Sequence, residues 1–131
     1  MKKEKSCGII VFDDDKVLLI KSQLGHYGFP KGHVEENETE EETALREVKE
    51  ETNCDVRIID GYRDMITYSP KADVIKDVVY FIGNPITKDL KAQEEEVSEL
   101  FFISINDAFD KITYLNEKEA FTRAKDYYYK K

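Results

Sequence analysis

Residues 39–53, TEEETALREVKEETN, set a narrow condition on any fold built from this chain. Thr39, followed three residues later by Glu42, is a capping-box pattern that starts a helix. Glu40, Glu41 and Glu42 suit the positive end of the helix dipole. Asn53 closes the segment, because Asn tolerates the left-handed backbone common just past a helix C-terminus. At about 100° per residue, Ala44, Leu45, Val48 and Thr52 form an apolar arc. Glu47, Glu50 and Glu51 share the face beside that arc, at spacings i, i+3 and i+4. Three carboxylates therefore stand at the border of a stripe that must be buried. A like-charged i,i+4 pair costs roughly a few tenths of a kcal/mol in open water, and more where screening is weak. Arg46 can offset Glu42 and Glu50, and it leaves Glu47 and Glu51 facing each other. A solvated, Glu-rich helix face is the plain explanation of such a run. A divalent cation is the one that removes the repulsion, and clustered carboxylates suit Mg²⁺ or Mn²⁺.

The rest of the chain reads as one domain over residues 1–131, long enough for a real core despite 37% charged residues. No apolar run approaches the roughly 20 residues of a membrane span. The N-terminal MKKEKSCGIIVF starts basic, but its apolar part stops at Asp13, too short for a signal peptide. Cys7 and Cys54 make no disulfide framework. They read as small buried apolar residues in a reduced, cytoplasmic protein. The net charge of −8 argues against passive binding to nucleic acid or anionic lipid. Residues 35–55 carry ten acids against Arg46 and Lys49, an excess equal to that of the whole chain.

Around the helix, CGIIVF (7–12) and KVLLIKS (16–22) predict a hairpin turned at Asp13–Asp15. Residues 24–33, LGHYGFPKGH, predict a loop. Residues 56–69 and 75–84 predict strands joined near Pro70. A polar loop over 88–99 and a strand over 100–105 follow. Ser104 or Asn106 caps a short helix around Asp107–Ile112. Asn116 opens a last helix whose apolar side is Ala120, Phe121, Ala124 and Tyr128, docked in part by Tyr127–Tyr129. Strands with a few helices around them imply a mixed-sheet α/β sandwich.

The loop before the helix supplies what a cation alone lacks. Gly28 and Gly32 let backbone approach a ligand closely, and Pro30 stiffens the segment between them. Lys31 offers a point charge suited to phosphate. His26 and His33, the two histidines of the chain, both lie here. Carboxylate-bound Mg²⁺ beside a Lys/His loop suits a polyphosphate.

These residues resemble a known signature. Gly32, five residues, Glu38, seven residues, then Arg46-Glu47-Val48-Lys49-Glu50-Glu51 resembles the Nudix box, Gly-x5-Glu-x7-Arg-Glu-U-x-Glu-Glu-x-Gly-U with U apolar. Asn53 stands where the family has Gly, and both accept positive φ. Cys54 fills the last apolar slot. The resemblance implies a Nudix-type α/β/α sandwich with a mixed sheet. GHYGFPKGHVE (25–35) is similar to the signature of asymmetrical diadenosine tetraphosphate hydrolases, in which Trp often stands at the position of Tyr27. Lys76, Tyr80 and Phe81 resemble that group's Lys-x-x-x-Tyr-aromatic strand.

The resemblance further implies a hydrolase that cuts diadenosine tetraphosphate unequally into ATP and AMP. Glu47, Glu50 and Glu51 would hold Mg²⁺, with Mn²⁺ as the alternative ion. The carbonyl of Gly32 and a distal carboxylate, Glu96, would join them, with Glu95 and Glu99 as rivals for Glu96. Glu51 or Glu96 would act as base. Glu38 and Arg46 would pair to hold loop and helix together. Lys31, His33 and Lys76 would contact phosphates, and Tyr80, with Tyr27 or Tyr114, would stack on adenine. The partner is then a small nucleotide and not a membrane. The alternatives are a related enzyme acting on RNA 5′-triphosphate ends or on a nucleoside triphosphate, and a non-catalytic nucleotide sensor. RNA ends are less favoured because the chain has no basic stripe. The sequence leaves the oligomeric state open.

Overall fold

CGIIVF has apolar side chains on both faces of a strand, so both faces need cover. The computed structural model, which describes residues 1–130, provides it. The elements in chain order are β1 (Lys2–Asp13), β2 (Lys16–Ser22), β3 (Tyr27–Gly28), β4 (Lys31–His33), α1 (Glu40–Thr52), β5 (Val56–Ile58), β6 (Asp64–Tyr68), β7 (Val74–Pro85), β8 (Val97–Ser104), α2 (Ile105–Lys111) and α3 (Leu115–Tyr129). β1 pairs in parallel with β7, from Lys2 opposite Val74 to Val11 opposite Gly83. It also pairs antiparallel with β4, and at its end with β2 through Phe12 and Val17. β2 carries β3 and β8, and β7 carries β5 and β6.

The period-two alternation then divides the core. Ile10, Phe12, Val17, Leu19, Val78, Tyr80 and Ile82 pack with Ala108 of α2 and with Ala120, Phe121 and Ala124 of α3. Cys7, Ile9, Val11, Leu18, Val79 and Phe81 face the other way, onto Ala44 and Val48 of α1. A mixed sheet thus lies between α1 and the α2–α3 pair, an α/β/α sandwich. Both cysteines are buried and free. Among the described residues no helix is long and apolar enough to cross a membrane.

Several boundaries differ from the sequence reading. β1 begins at Lys2 because β7 supplies a parallel ladder to its polar first half. The loop at 24–33 contributes β3 and β4 to the sheet edges. Residues 56–69 break into two strands around Gly61, where φ is 91°. α3 starts at Leu115, so Asn116 lies inside its first turn and not at its cap. Ser104 caps α2, accepting from the Asn106 N–H at 3.3 Å. The buried stripe of α1 is also rotated: Glu51 is 3% exposed and Leu45 is 38% exposed. α1 lies across β1 and β4, and that contact presses its Glu51 side inward.

Candidate active site

The acidic helix is positioned by its own ends. Thr39 Oγ1 accepts from the Glu42 N–H at 3.1 Å, and Glu42 accepts from the Thr39 N–H at 2.9 Å. Asn53 closes the helix at φ 64°. Arg46 then ties helix to loop. Its Nε donates to Glu38 at 2.6 Å, one terminal nitrogen donates to the His33 carbonyl at 3.0 Å, and the other reaches Glu47 at 2.9 Å and Glu50 at 3.1 Å. It makes no bond to Glu42, which is occupied in the cap. The Arg46 guanidinium, with Thr43 and the Glu35 N–H, lowers the Glu38 carboxyl to about 2.

That clamp brings Glu47 against the loop. A Cβ at position 32 would run into the Glu47 carboxylate, which would have to swing away from Arg46 to make room. Burial pushes Glu47 up, although Arg46 opposes it. Glu51 accepts from the Lys31 N–H at 3.1 Å, yet burial and the nearby Glu47 charge push it up to about 8. Glu96, from the loop between β7 and β8, raises both Glu47 and Glu51 through its charge. Glu47 and Glu96 line one cavity of about 370 Å³ with Lys31, Gly32, His33 and Lys76. Of the two rivals, Glu99 turns away toward Lys21 at 3.4 Å. His33 is exposed and 3.8 Å from Glu4.

Among the described residues no three His, Cys, Asp or Glu side chains converge at metal-ligand spacing as they stand. Arg46 holds Glu47 and Glu50, and the Lys31 N–H holds Glu51. The donor set nevertheless fits a hard divalent ion. It is built of oxygens, its buried members repel one another, and a cation would relieve that repulsion.

A second cavity, of about 490 Å³, opens next to the first and shares Lys31 with it. His26, Tyr27, Tyr68, Tyr114 and Glu117 are among its walls. Tyr114 OH lies 3.0 Å from a His26 ring nitrogen, and Lys111 Nζ sits 4.5 Å from the centre of the Tyr27 ring. Sequence reasoning missed Tyr68 and Glu117. The signal for Tyr68 was its pairing position, opposite Lys76 across β6 and β7. Lys76 itself is pushed down by burial and by the charge of Lys31.

Tyr80 is a correction. It does share a strand face with Lys76, but it lies deeper, with no exposed surface, edge-on to Phe29 at 5.6 Å. It offers no face to a base. Its hydroxyl instead donates to Glu117 at 2.8 Å.

A family model for the NUDIX domain matches residues 2–125. The chain belongs to the NUDIX family. Among its relatives, a mouse protein named bis(5′-nucleosyl)-tetraphosphatase [asymmetrical] is 34% identical over 94 residues, 60% of this chain and 63% of its own length. The pig protein of the same name is 32% identical over 68% of this chain and 70% of its own length. An ADP-ribose pyrophosphatase of Methanocaldococcus jannaschii is 35% identical over 71% of this chain and 57% of its own. The chain thus spans about two thirds of the lengths of the mouse and pig proteins. A C. elegans Ap4A hydrolase binary complex shares the fold, with a TM-score of 0.84 at 22% identity over 95% of this chain and 96% of that one.

Proposed function

We propose that this protein hydrolyses nucleoside polyphosphates and cuts diadenosine tetraphosphate unequally into ATP and AMP. The observation that carries the reading is Lys31, which lies on both cavities, one acidic and one aromatic. A phosphate chain would run past Lys31 and Lys76, whose mutual repulsion an anion relieves. A base would occupy the cavity walled by Tyr27, Tyr68 and Tyr114, where rigid aromatic faces favour stacking. The names of the mouse and pig relatives support the same substrate.

Glu47, Glu50, Glu51, Glu96 and the Gly32 carbonyl would hold Mg²⁺. Bound there, the ion would neutralise phosphate oxygens and lower the pKa of attacking water. Glu51 or Glu96 would take the proton of that water, since burial raises the basicity of Glu51 in particular. Glu38 and Arg46 act by position: their pair, with the Arg46 bond to the His33 carbonyl, holds the loop against the helix. The free, buried cysteines support a reducing, cytoplasmic setting.

The test is a product-resolved assay over diadenosine tetraphosphate, nucleoside triphosphates, ADP-ribose and triphosphorylated RNA, in Mg²⁺ and in EDTA. ATP and AMP should appear in equal amounts, and only with the metal. Two ADP molecules as product, or a preference for triphosphorylated RNA, would overturn the assignment.

A further inference from the structure

We infer that Glu117 and Asn116 form an acceptor pair in the aromatic cavity that selects a base carrying an exocyclic amine, adenine over its 6-oxo counterpart. Both residues lie in the first turn of α3 and both line that cavity. Glu117 is 6% exposed, an unusual burial for a carboxylate that makes no ion pair among the described residues, although Lys76 feels its charge. Among the described residues its one hydrogen-bond donor is the Tyr80 hydroxyl, on Oε2. Burial and the Glu117 charge hold Tyr80 well above its ordinary range, so it stays protonated and donates. A carboxylate has about four acceptor positions, and one donor leaves most of them open. Gly28 keeps the space beside them clear: a Cβ there would come within 3.0 Å of one oxygen and 3.1 Å of the other.

The second observation is independent. Asn116 Oδ1 is buried and has no hydrogen-bond partner. A buried acceptor left unmade is costly, and native structures keep few of them without a reason. Glu117 keeps acceptor positions open and Asn116 Oδ1 has no donor, on two residues that both wall the cavity; a ligand with two N–H groups on one nitrogen would serve both once the Asn116 amide turns out of its buried position. The 6-amine of adenine is such a nitrogen. Hypoxanthine presents a carbonyl at the same place and would set a lone pair against the carboxylate. The carboxylate decides the choice, because a carboxylate offers acceptors and no donor to the base.

The inference rests on the reading of the aromatic cavity as the base site. Calorimetric titration with AMP and IMP tests recognition without turnover, and cleavage of diadenosine and diinosine tetraphosphate tests it with turnover. Wild type should favour the adenine ligand by about tenfold or more. Glu117→Gln should bring the two ligands within about threefold of each other, chiefly by gaining the 6-oxo ligand. Its amide can donate to that carbonyl while its own oxygen still accepts from Tyr80. Asn116→Ala, the second variant, should weaken AMP binding and bring no gain for IMP. Circular dichroism melts establish that each variant folds. Equal AMP and IMP affinity in wild type overturns the inference, even if ATP and AMP are still produced. An unchanged ratio in both folded variants does the same. An adenine preference that responds to both variants, in a protein that cuts neither dinucleotide, sustains the base assignment and overturns the proposed activity.

Discussion

Glu51→Gln should make the metal-free protein more stable while it removes activity. Glu51 is almost wholly buried, and its carboxyl is raised from 4.5 to about 8. An acid whose pKa rises on folding binds its proton more tightly in the folded state. Below about pH 4.5 it therefore costs nothing. Between about 4.5 and about 8, stability falls as pH rises, and above that the loss is constant. At about pH 7 the interval from 4.5, at about 1.4 kcal/mol per pH unit, amounts to about 3 kcal/mol. Gln keeps the volume and the carbonyl that accepts from the Lys31 N–H. The variant should then gain about 1–3 kcal/mol, an increase of about 3–10 °C in melting temperature for a domain of this size. The assay is thermal unfolding in EDTA and in millimolar Mg²⁺, at about pH 5, 7 and 8.5. In EDTA the two curves should lie close at the lowest pH and separate as pH rises. Mg²⁺ should stabilise wild type by mass action and the variant less, and turnover of the variant should drop by roughly 10²-fold or more. A variant that melts at or below wild type in EDTA at neutral pH would refute the reasoning.

Other consequences follow from the same geometry. Glu50→Gln should lower turnover by roughly 10²-fold or more, whereas Glu41→Gln, exposed on the same helix, should leave it unchanged; equal behaviour of the two would mark the helix face as merely solvated. Gly32→Ala pushes the Glu47 carboxylate off Arg46, so chemical denaturation should show a loss of about 1 kcal/mol, and hydrolysis should fail in the folded fraction. Glu40 is held at about 2 by hydrogen bonds from Arg63 and Lys5, so its contribution is full above about pH 4.5 and fades as pH falls toward 2. Urea midpoints of Glu40→Gln should lie below wild type at neutral pH and converge with it near pH 2. Tyr80→Phe should destabilise the protein by about 1–3 kcal/mol, since it strands the buried Glu117 carboxylate. A Tyr80→Phe protein as stable as wild type would show that this bond is not needed.

Much of α1 was legible without the fold, because a capping box, a left-handed Asn and i,i+4 neighbours are contacts within a few residues. The spacing from Gly32 through Glu38 to Arg46 was legible as a motif, and the ion pair that joins Glu38 to Arg46 spans only eight residues. Apolar runs also marked β1 and β7 as strands, whose alternation sends side chains to two faces. That pattern could not say how deep a residue lies along its face. Lys76 and Tyr80 share a face, yet one borders a cavity and the other is sealed under Phe29 and α3. Nor could it say how α1 is rolled on the sheet, which buried Glu51 and left Leu45 half in water. Tyr68, Glu117 and Asn116 were not legible as cavity residues because each gains that meaning from a partner far along the chain: Lys76 across a strand pair, Tyr80 beneath a helix, and a cavity that several elements close together. Local sequence sets what a segment prefers and which side chains point the same way. Which of those side chains meets water, a neighbour's charge or an open cavity is settled by the packing of distant elements, and here that packing decided where the carboxylates became basic and which aromatic rings stayed free.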